Sequence, residues 1–189
     1  VYTIGDRLDV DLETYTNPYN PKLENLKENL RNTVSNWVGN NNSENISIKE
    51  GTSIFTACMN RNANLEKALP TWLAANPDEI VIVDWNSKTP VKEIVDRFNS
   101  SGKIRLITVD NVDSWILTRS FNLAARYTTY NKILKVDCDT ILTENFFSSH
   151  DLSSGEVYYA GDWRKARNNN EKYTNGIVYM LRESFFGIG

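Results

Sequence analysis

The sequence predicts an α/β protein with a mostly parallel central sheet that is flanked by helices. From residue 51 onward, short apolar segments alternate with amphipathic helical patterns. These segments have no clear polar face, which is typical of parallel strands that are buried on both sides. Residues 1–50 are polar and rich in Asn, and we expect them to form a separate N-terminal extension.

The extension, residues 1–50, contains one pattern that predicts a helix. Pro21 can begin it, and Gly39 with the following Asn run can end it. Between them, apolar residues recur at spacings of three and four, at Leu23, Leu26, Leu30, Val34 and Trp37. We expect this helix to pack on the main domain, residues 51–189.

In the main domain, apolar segments predict strands at 54–58, 80–83, 104–109, 133–136, 157–160 and 177–181. Helices are predicted between them, at 64–75, from Thr89 and Pro90 to residue 98, and at 113–127. Thr89 would cap the second helix, and Asp113 or Ser114 the third. Pro70 predicts a kink or a broken start in the first helix.

Composition limits the classes of function. The 189 residues suffice for one domain with a sizeable core, and 24% of them are charged. The formal net charge of -3 disfavours a general nucleic-acid binder. No apolar stretch approaches the roughly 20 residues that cross a bilayer.

The two cysteines lie in apolar segments, so we expect reduced, buried thiols and a cytoplasmic location. The termini suggest a chain truncated at its C-terminal end and belonging to a longer multidomain protein.

Ligands of parallel α/β sheets bind outside the carboxyl ends of the strands, and acids follow two strands there. Asp137 and Asp139 follow the fourth strand; if the strand continues, both face one side and Cys138 the other. Two carboxylates on one face suit Mg²⁺ or Mn²⁺, with substrate phosphates as further ligands. The alternative is a solvated acidic turn.

Three other segments have two interpretations each. Asp84, after the second strand, could bind a base or ribose, or could form a turn or helix cap. Arg119 and Asn122 share a helix face that could point at phosphates, or could be ordinary surface. The segment from Asp162 to Arg167 combines Trp163 with three cations, and could bind sugar or phosphate or be a solvated loop. His150, the only histidine, is expected in a surface loop.

Taken together and in order, several segments resemble the GT-A glycosyltransferases, whose sheet is Rossmann-like. The similarity is to the family-2-like and galactosyltransferase-like group, including chondroitin-polymerase-type modules, and covers about residues 52–189. The segments that carry it are 55–61 (Phe-Thr-Ala-Cys-Met-Asn-Arg), 82–87 (Ile-Val-Asp-Trp-Asn-Ser), 119–122 (Arg-Ser-Phe-Asn), 136–139 (Val-Asp-Cys-Asp), and 162–176, from Asp-Trp-Arg to Asn-Gly.

The resemblance implies an enzyme that moves a hexose or N-acetylhexosamine from a UDP-sugar to a glycan or glycoconjugate hydroxyl, with inversion. It implies that Asp84 contacts the uracil, Arg119 the diphosphate and Asp137 the ribose and metal. Asp139 would bind the Mn²⁺ or Mg²⁺ directly. The remaining residues expected to line the donor are Thr56, Ala57, Met59, Arg61, Asn86, Asn122, Cys138, Trp163, Asn175 and Gly176.

Two departures from the family pattern stand out. Asp-Trp-Asn-Ser follows the second strand where many relatives have Asp-Asp-Gly-Ser. The family's catalytic base is expected in a segment after Gly189. Two alternatives remain: a haloacid-dehalogenase-like phosphohydrolase, because Asp137 to Ile141 approaches its Asp-x-Asp-x-Thr motif, and a non-catalytic glycosyltransferase-like binding module.

Overall fold

The protein is described by a computed structural model that covers residues 47–152, 156–159, 162–165 and 176–187. For Trp163 this includes the backbone only. The helix expected between Pro21 and Gly39 lies outside the described residues. The first strand begins at Lys49, two residues before the expected start of the main domain.

Six strands form one sheet in the order β3-β2-β1-β4-β6-β5. Their bounds are β1 Lys49–Cys58, β2 Glu79–Trp85, β3 Ile104–Val109, β4 Tyr130–Lys135, β5 Val157–Tyr159 and β6 Val178–Leu181. β1 to β4 pair in parallel, whereas β6 is antiparallel to both β4 and β5. The mostly parallel, helix-flanked sheet expected from the sequence is therefore confirmed.

The helices are α1 Asn62–Ala74, α2 Lys92–Phe98, α3 Leu117–Arg126, α4 Phe146–Ser149 and α5 Arg182–Gly187, with short 3-10 turns at Asn99–Ser101 and Trp163–Lys165. The sequence predicts a kink or a broken start at Pro70; α1 runs without interruption through this residue, so the broken start is wrong. α2 and α3 both begin later than predicted. The N-cap of α2 is Val91 rather than Thr89, and that of α3 is Ile116 rather than Asp113 or Ser114.

The sheet separates two apolar cores. Alternate residues of β1 face opposite sides, since Ile54 and Cys58 belong to one core and Phe55 and Ala57 to the other. The first core lies under α1 and α2, and the second under α3. Burial on both faces is the physical reason that the central strand segments 54–58 and 80–83 are largely apolar.

The amino ends of the strands are held by a buried carboxylate. Glu79, 6% exposed, accepts hydrogen bonds from the Ser53 hydroxyl and from the Thr129 amide, both at 2.8 Å. The Arg105 guanidinium lies 3.7 Å from it. This network ties β1, β2 and β4 together at the edge opposite the predicted site.

Candidate donor-binding site

The loops that follow β1 and β2 are joined by reciprocal hydrogen bonds. The Asn60 amide donates to the Ser87 hydroxyl at 3.0 Å, and the Lys88 amide donates to Asn60 Oδ1 at 2.8 Å. Asn60 has a positive φ of 57°, which Asn adopts more readily than most residues. The two loops therefore form one wall of the carboxyl edge of the sheet.

Asp84 shapes this wall from beneath. Its carboxylate is 3% exposed and accepts hydrogen bonds from the Ser87 amide at 3.1 Å and the Val91 amide at 2.9 Å. The Val91 amide is thus bound before α2 begins, which explains why the helix starts after the predicted Thr89 cap. Asp84 therefore orders the turn after β2, which agrees with its second interpretation, and its contact with the uracil stays a prediction.

Trp85 and Asn86 connect the same loop to the segment before α3. Trp85 is buried, and its Nε1 donates to the Ser114 carbonyl at 2.9 Å. Asn86, with φ of 53°, donates from its side-chain amide to the Val112 carbonyl at 2.8 Å. These bonds hold residues 112–114 as a loop, so α3 cannot begin at Asp113. They also account for Trp-Asn in place of Asp-Gly, because Asn provides the left-handed turn and Trp anchors the next loop.

Asp137 lies just beyond the end of β4, and both of its carboxylate oxygens have close neighbours. Oδ1 is 2.7 Å from the Lys135 ammonium. Oδ2 lies against Gly176, where a side-chain carbon would overlap it. Gly176 is buried, so its role among the predicted residues is to make room for the Asp137 carboxylate. The Asp137 side chain keeps 40% exposure.

Asp139 differs from Asp137, since it is exposed and forms no ion pair with the other described residues. The Thr140 amide donates a 3.0 Å hydrogen bond to the Asp137 carbonyl, which closes a turn around Asp139. The Trp72 indole of α1 also holds this turn, since it donates to the Thr140 carbonyl at 2.7 Å. The Asp139 carboxylate is thus presented to solvent from a braced turn.

The described side chains provide only part of the ligands that a hard divalent cation needs. Within the described ranges, no group of three or more His, Cys, Asp or Glu side chains is placed to hold a metal. Mg²⁺ and Mn²⁺ are hard cations that suit oxygen ligands, and Mg²⁺ is usually held through one or two carboxylates together with substrate phosphates. Asp139, with Asp137 beside it, is suited to that kind of site.

Arg119 lies near the start of α3, at the same edge of the sheet. It is partly buried, and burial lowers the pKa of its guanidinium, although the group stays charged. None of the described carboxylates forms an ion pair with it. Asn122, one turn further on, is also partly buried. A partly desolvated cation without an acidic partner is suited to binding an anionic ligand.

Three of the predicted donor residues are buried beneath the site. Thr56 is 0% exposed, and its hydroxyl has no hydrogen-bond partner among the described atoms. Ala57 is 3% exposed and Cys138 is 9% exposed. These three support the floor of the site and do not line its surface. Met59 is partly buried against the second core, under α3, and Arg61, next to α1, is exposed.

Cys138 and Cys58 are both free, buried and in the same core, as the sequence predicted for the thiols. A hydrogen bond with Cys58, together with burial, raises the pKa of the Cys138 thiol. Cys138 is therefore protonated at neutral pH and unsuited to holding a metal as a thiolate.

The remaining predictions fall elsewhere. Asn175 and the side chain of Trp163 lie outside the described part of the chain. Arg164 forms an ion pair with Asp162 at 3.0 Å. His150 is partly buried and stacks on Phe146, with ring centroids 4.5 Å apart, so it is not a free surface residue.

Lys135 was missed by the sequence analysis. Its signal was available, because residues two apart on a strand face the same side, and Lys135 precedes Asp137 by two.

The α/β sheet with its carboxyl-edge loops defines a GT-A fold. It matches a mannosyltransferase, PcManGT from Pyrobaculum calidifontis in complex with GDP-Man and Mn²⁺, with a TM-score of 0.55 and 13% identity. The match covers 75% of this chain and 47% of that one. TarS 1-349 of S. aureus matches with a TM-score of 0.50 and 13% identity, over 70% of this chain and 47% of that one. The chain thus spans about half the length of these structures.

Residues 53–150 match the family model of glycosyl transferase family 2, which covers about half of the sequence. The chain belongs to glycosyl transferase family 2. No curated protein matches the sequence. Within the described residues, no helix is long and apolar enough to cross a membrane. Family membership removes the support for the phosphohydrolase alternative.

Proposed function

We propose that this chain binds the donor in the transfer of a hexose or N-acetylhexosamine from a UDP-sugar to a hydroxyl of a glycan or glycoconjugate, with inversion. The observation that carries the proposal is that an exposed acid, Asp139, and a partly buried cation, Arg119, lie at the same edge of the sheet without an ion pair to any described residue. A sugar diphosphate needs both a cationic contact and a carboxylate-bound metal.

The two groups would act on different parts of the donor. Arg119 would bind the diphosphate through its guanidinium, which stays charged despite burial. Asp139 would hold Mn²⁺ or Mg²⁺, and Asp137 would accept a hydrogen bond from the ribose. The cation would supply positive charge that stabilises the departing diphosphate. The joined loops after β1 and β2 would hold the nucleoside against the carboxyl edge.

Isothermal titration with UDP, with and without Mn²⁺, tests the proposal. We expect Mn²⁺ to strengthen UDP binding, and Asp139→Ala to remove that gain while leaving metal-free binding unchanged. Arg119→Met should weaken UDP binding about tenfold in both conditions, by the loss of one charge-assisted contact. Arg126→Met, on the same helix but at its other end, is the matched control and should bind as the wild type does.

The outcomes separate the alternatives. No binding of UDP or GDP under either condition would contradict donor binding altogether. Preference for GDP would retain sugar transfer but replace the donor base. UDP binding by this chain, together with no sugar transfer to any glycan acceptor, would favour the non-catalytic module.

A further inference from the structure

Lys135 occupies an enclosed position between β4 and α3. Its ammonium lies 2.7 Å from Asp137 Oδ1 and 4.3 Å from the centre of the Phe121 ring. The side chain is only 20% exposed. An ammonium held by both a carboxylate and an aromatic face loses freedom to move, so the ion pair with Asp137 is a fixed part of the site.

The opposite side of Asp137 is closed by Gly176, whose backbone approaches Oδ2 so closely that no side chain fits there. The carboxylate is therefore confined between a cation and a backbone segment. To become an inner ligand of a metal, Asp137 would have to give up its bond to Lys135. Asp139 is under no such constraint, since it is exposed and not ion-paired within the described chain.

The charge of the site follows from this arrangement. Asp137 and Asp139 alone would present two negative charges, but Lys135 cancels one of them at close range. The affinity of a carboxylate site for a divalent cation rises with the number of free charged ligands. With one free carboxylate among the described residues of the site, these residues offer a weak site by themselves, and donor phosphates must supply the missing negative oxygens.

Resting on the proposed function, we propose that Lys135 is a positioning residue that neutralises Asp137 and holds it away from the metal. The consequence is ordered binding: the chain takes up a divalent cation tightly only when a nucleoside diphosphate is present. Lys135 thereby couples the metal to the donor, without contacting either one.

The test is titration of the chain with Mn²⁺ alone, with free Mn²⁺ measured by electron paramagnetic resonance. Lys135→Met keeps the length and apolar stem of the side chain but removes the charge. We expect it to raise the affinity for Mn²⁺ alone about tenfold, because a nearby cation is lost and a carboxylate is freed. Lys135→Gln, a second neutral variant, should do the same. Lys135→Arg, which keeps the cation, should stay as weak as the wild type.

Two further variants test whether the change in Mn²⁺ affinity depends on Asp137. Adding Asp137→Asn to Lys135→Met should return the affinity to the wild-type level, since the freed carboxylate is then gone. Lys132→Met is the matched control, because Lys132 lies on the same strand at odd spacing from Lys135 and so faces the other side. It should change nothing.

Unchanged or weaker Mn²⁺ affinity in both neutral variants would overturn the role of Lys135. So would tight binding of Mn²⁺ alone by the wild type. Failure of the proposed function gives a different result, namely that the wild type binds no Mn²⁺ even with UDP present.

Discussion

The Val91 amide donates a 2.9 Å hydrogen bond to Asp84, a carboxylate seven residues earlier that is 3% exposed. The bond joins the end of β2 to the start of α2. Because the other Asp84 oxygen accepts from the Ser87 amide, one side chain organises the whole connection between the two elements.

The first prediction follows from that bond. Asp84→Ala leaves the Val91 and Ser87 amides without their acceptor, and we expect a loss of about 3 kcal/mol in the free energy of unfolding. Urea denaturation measures it. Asp96→Ala on the exposed face of α2 removes only a surface ion pair and should cost less than about 1 kcal/mol. Equal effects of the two substitutions would show that the Asp84 bonds contribute little.

Gly176→Ala should weaken UDP binding about tenfold, since one misplaced polar contact costs that order of affinity. The added methyl group would overlap Asp137 Oδ2 and displace the carboxylate. Calorimetric titration with UDP gives the affinity. Gly187→Ala is the control, because nothing lies within 4 Å of a side-chain carbon placed there. Wild-type affinity in Gly176→Ala would mean that the position of Asp137 is unimportant for the donor.

The two thiols should resist modification in the native protein. Both are buried. The hydrogen bond between them raises the pKa of Cys138, so moving from pH 7 to pH 8.5 should not increase its thiolate appreciably, and it lowers the pKa of Cys58, whose protection therefore depends on burial. Reaction with Ellman's reagent should be slow in buffer and give two equivalents in guanidinium. Ser101→Cys adds an exposed thiol as a positive control and should react at once. Fast labelling of two native thiols would contradict the burial.

Glu79→Gln should lower the stability of the protein without changing its affinity for UDP. The substitution weakens the bonds to Ser53 and Thr129 at the amino edge, and we expect a loss of about 2 kcal/mol in unfolding free energy. UDP affinity should stay at the wild-type value, because the site lies at the other edge. Exposed Glu93→Gln is the control for stability. A large loss of UDP affinity in folded Glu79→Gln would indicate that the two edges are coupled.

Strand positions could be predicted from the sequence because burial on both faces leaves a local signature. The apolar segment at residues 80–83 lies within β2, which is buried along its whole length. The segment at 104–109 matches β3 although this edge strand is partly exposed, because most of its residues are still apolar. The starts of α2 and α3 could not be predicted, since they depend on bonds between distant segments. The hydrogen bond from Trp85 to the Ser114 carbonyl joins residues that are 29 positions apart. The local capping propensity of Asp113 contains no information about this bond.

The same limit applies to the site. The sequence located Asp137, Asp139 and Arg119 at one edge, because topology alone brings strand ends together. It left Asp84 open between base binding and a turn, and it could not predict that Gly176, which lies 39 residues after Asp137, packs against the Asp137 carboxylate. Those are tertiary contacts, and the residue types involved have ordinary surface roles elsewhere in the chain.

The reciprocal bonds between Asn60 and the Ser87–Lys88 segment have an evolutionary consequence. Each loop supplies what the other lacks, a hydroxyl from one and a side-chain carbonyl from the other. A replacement at position 60 therefore removes a partner from position 88, and a replacement at 87 removes one from position 60. Because each bond joins one side chain to a backbone amide of the other loop, a related sequence can lose the bond made by residue 60 or by residue 87 and still keep the other.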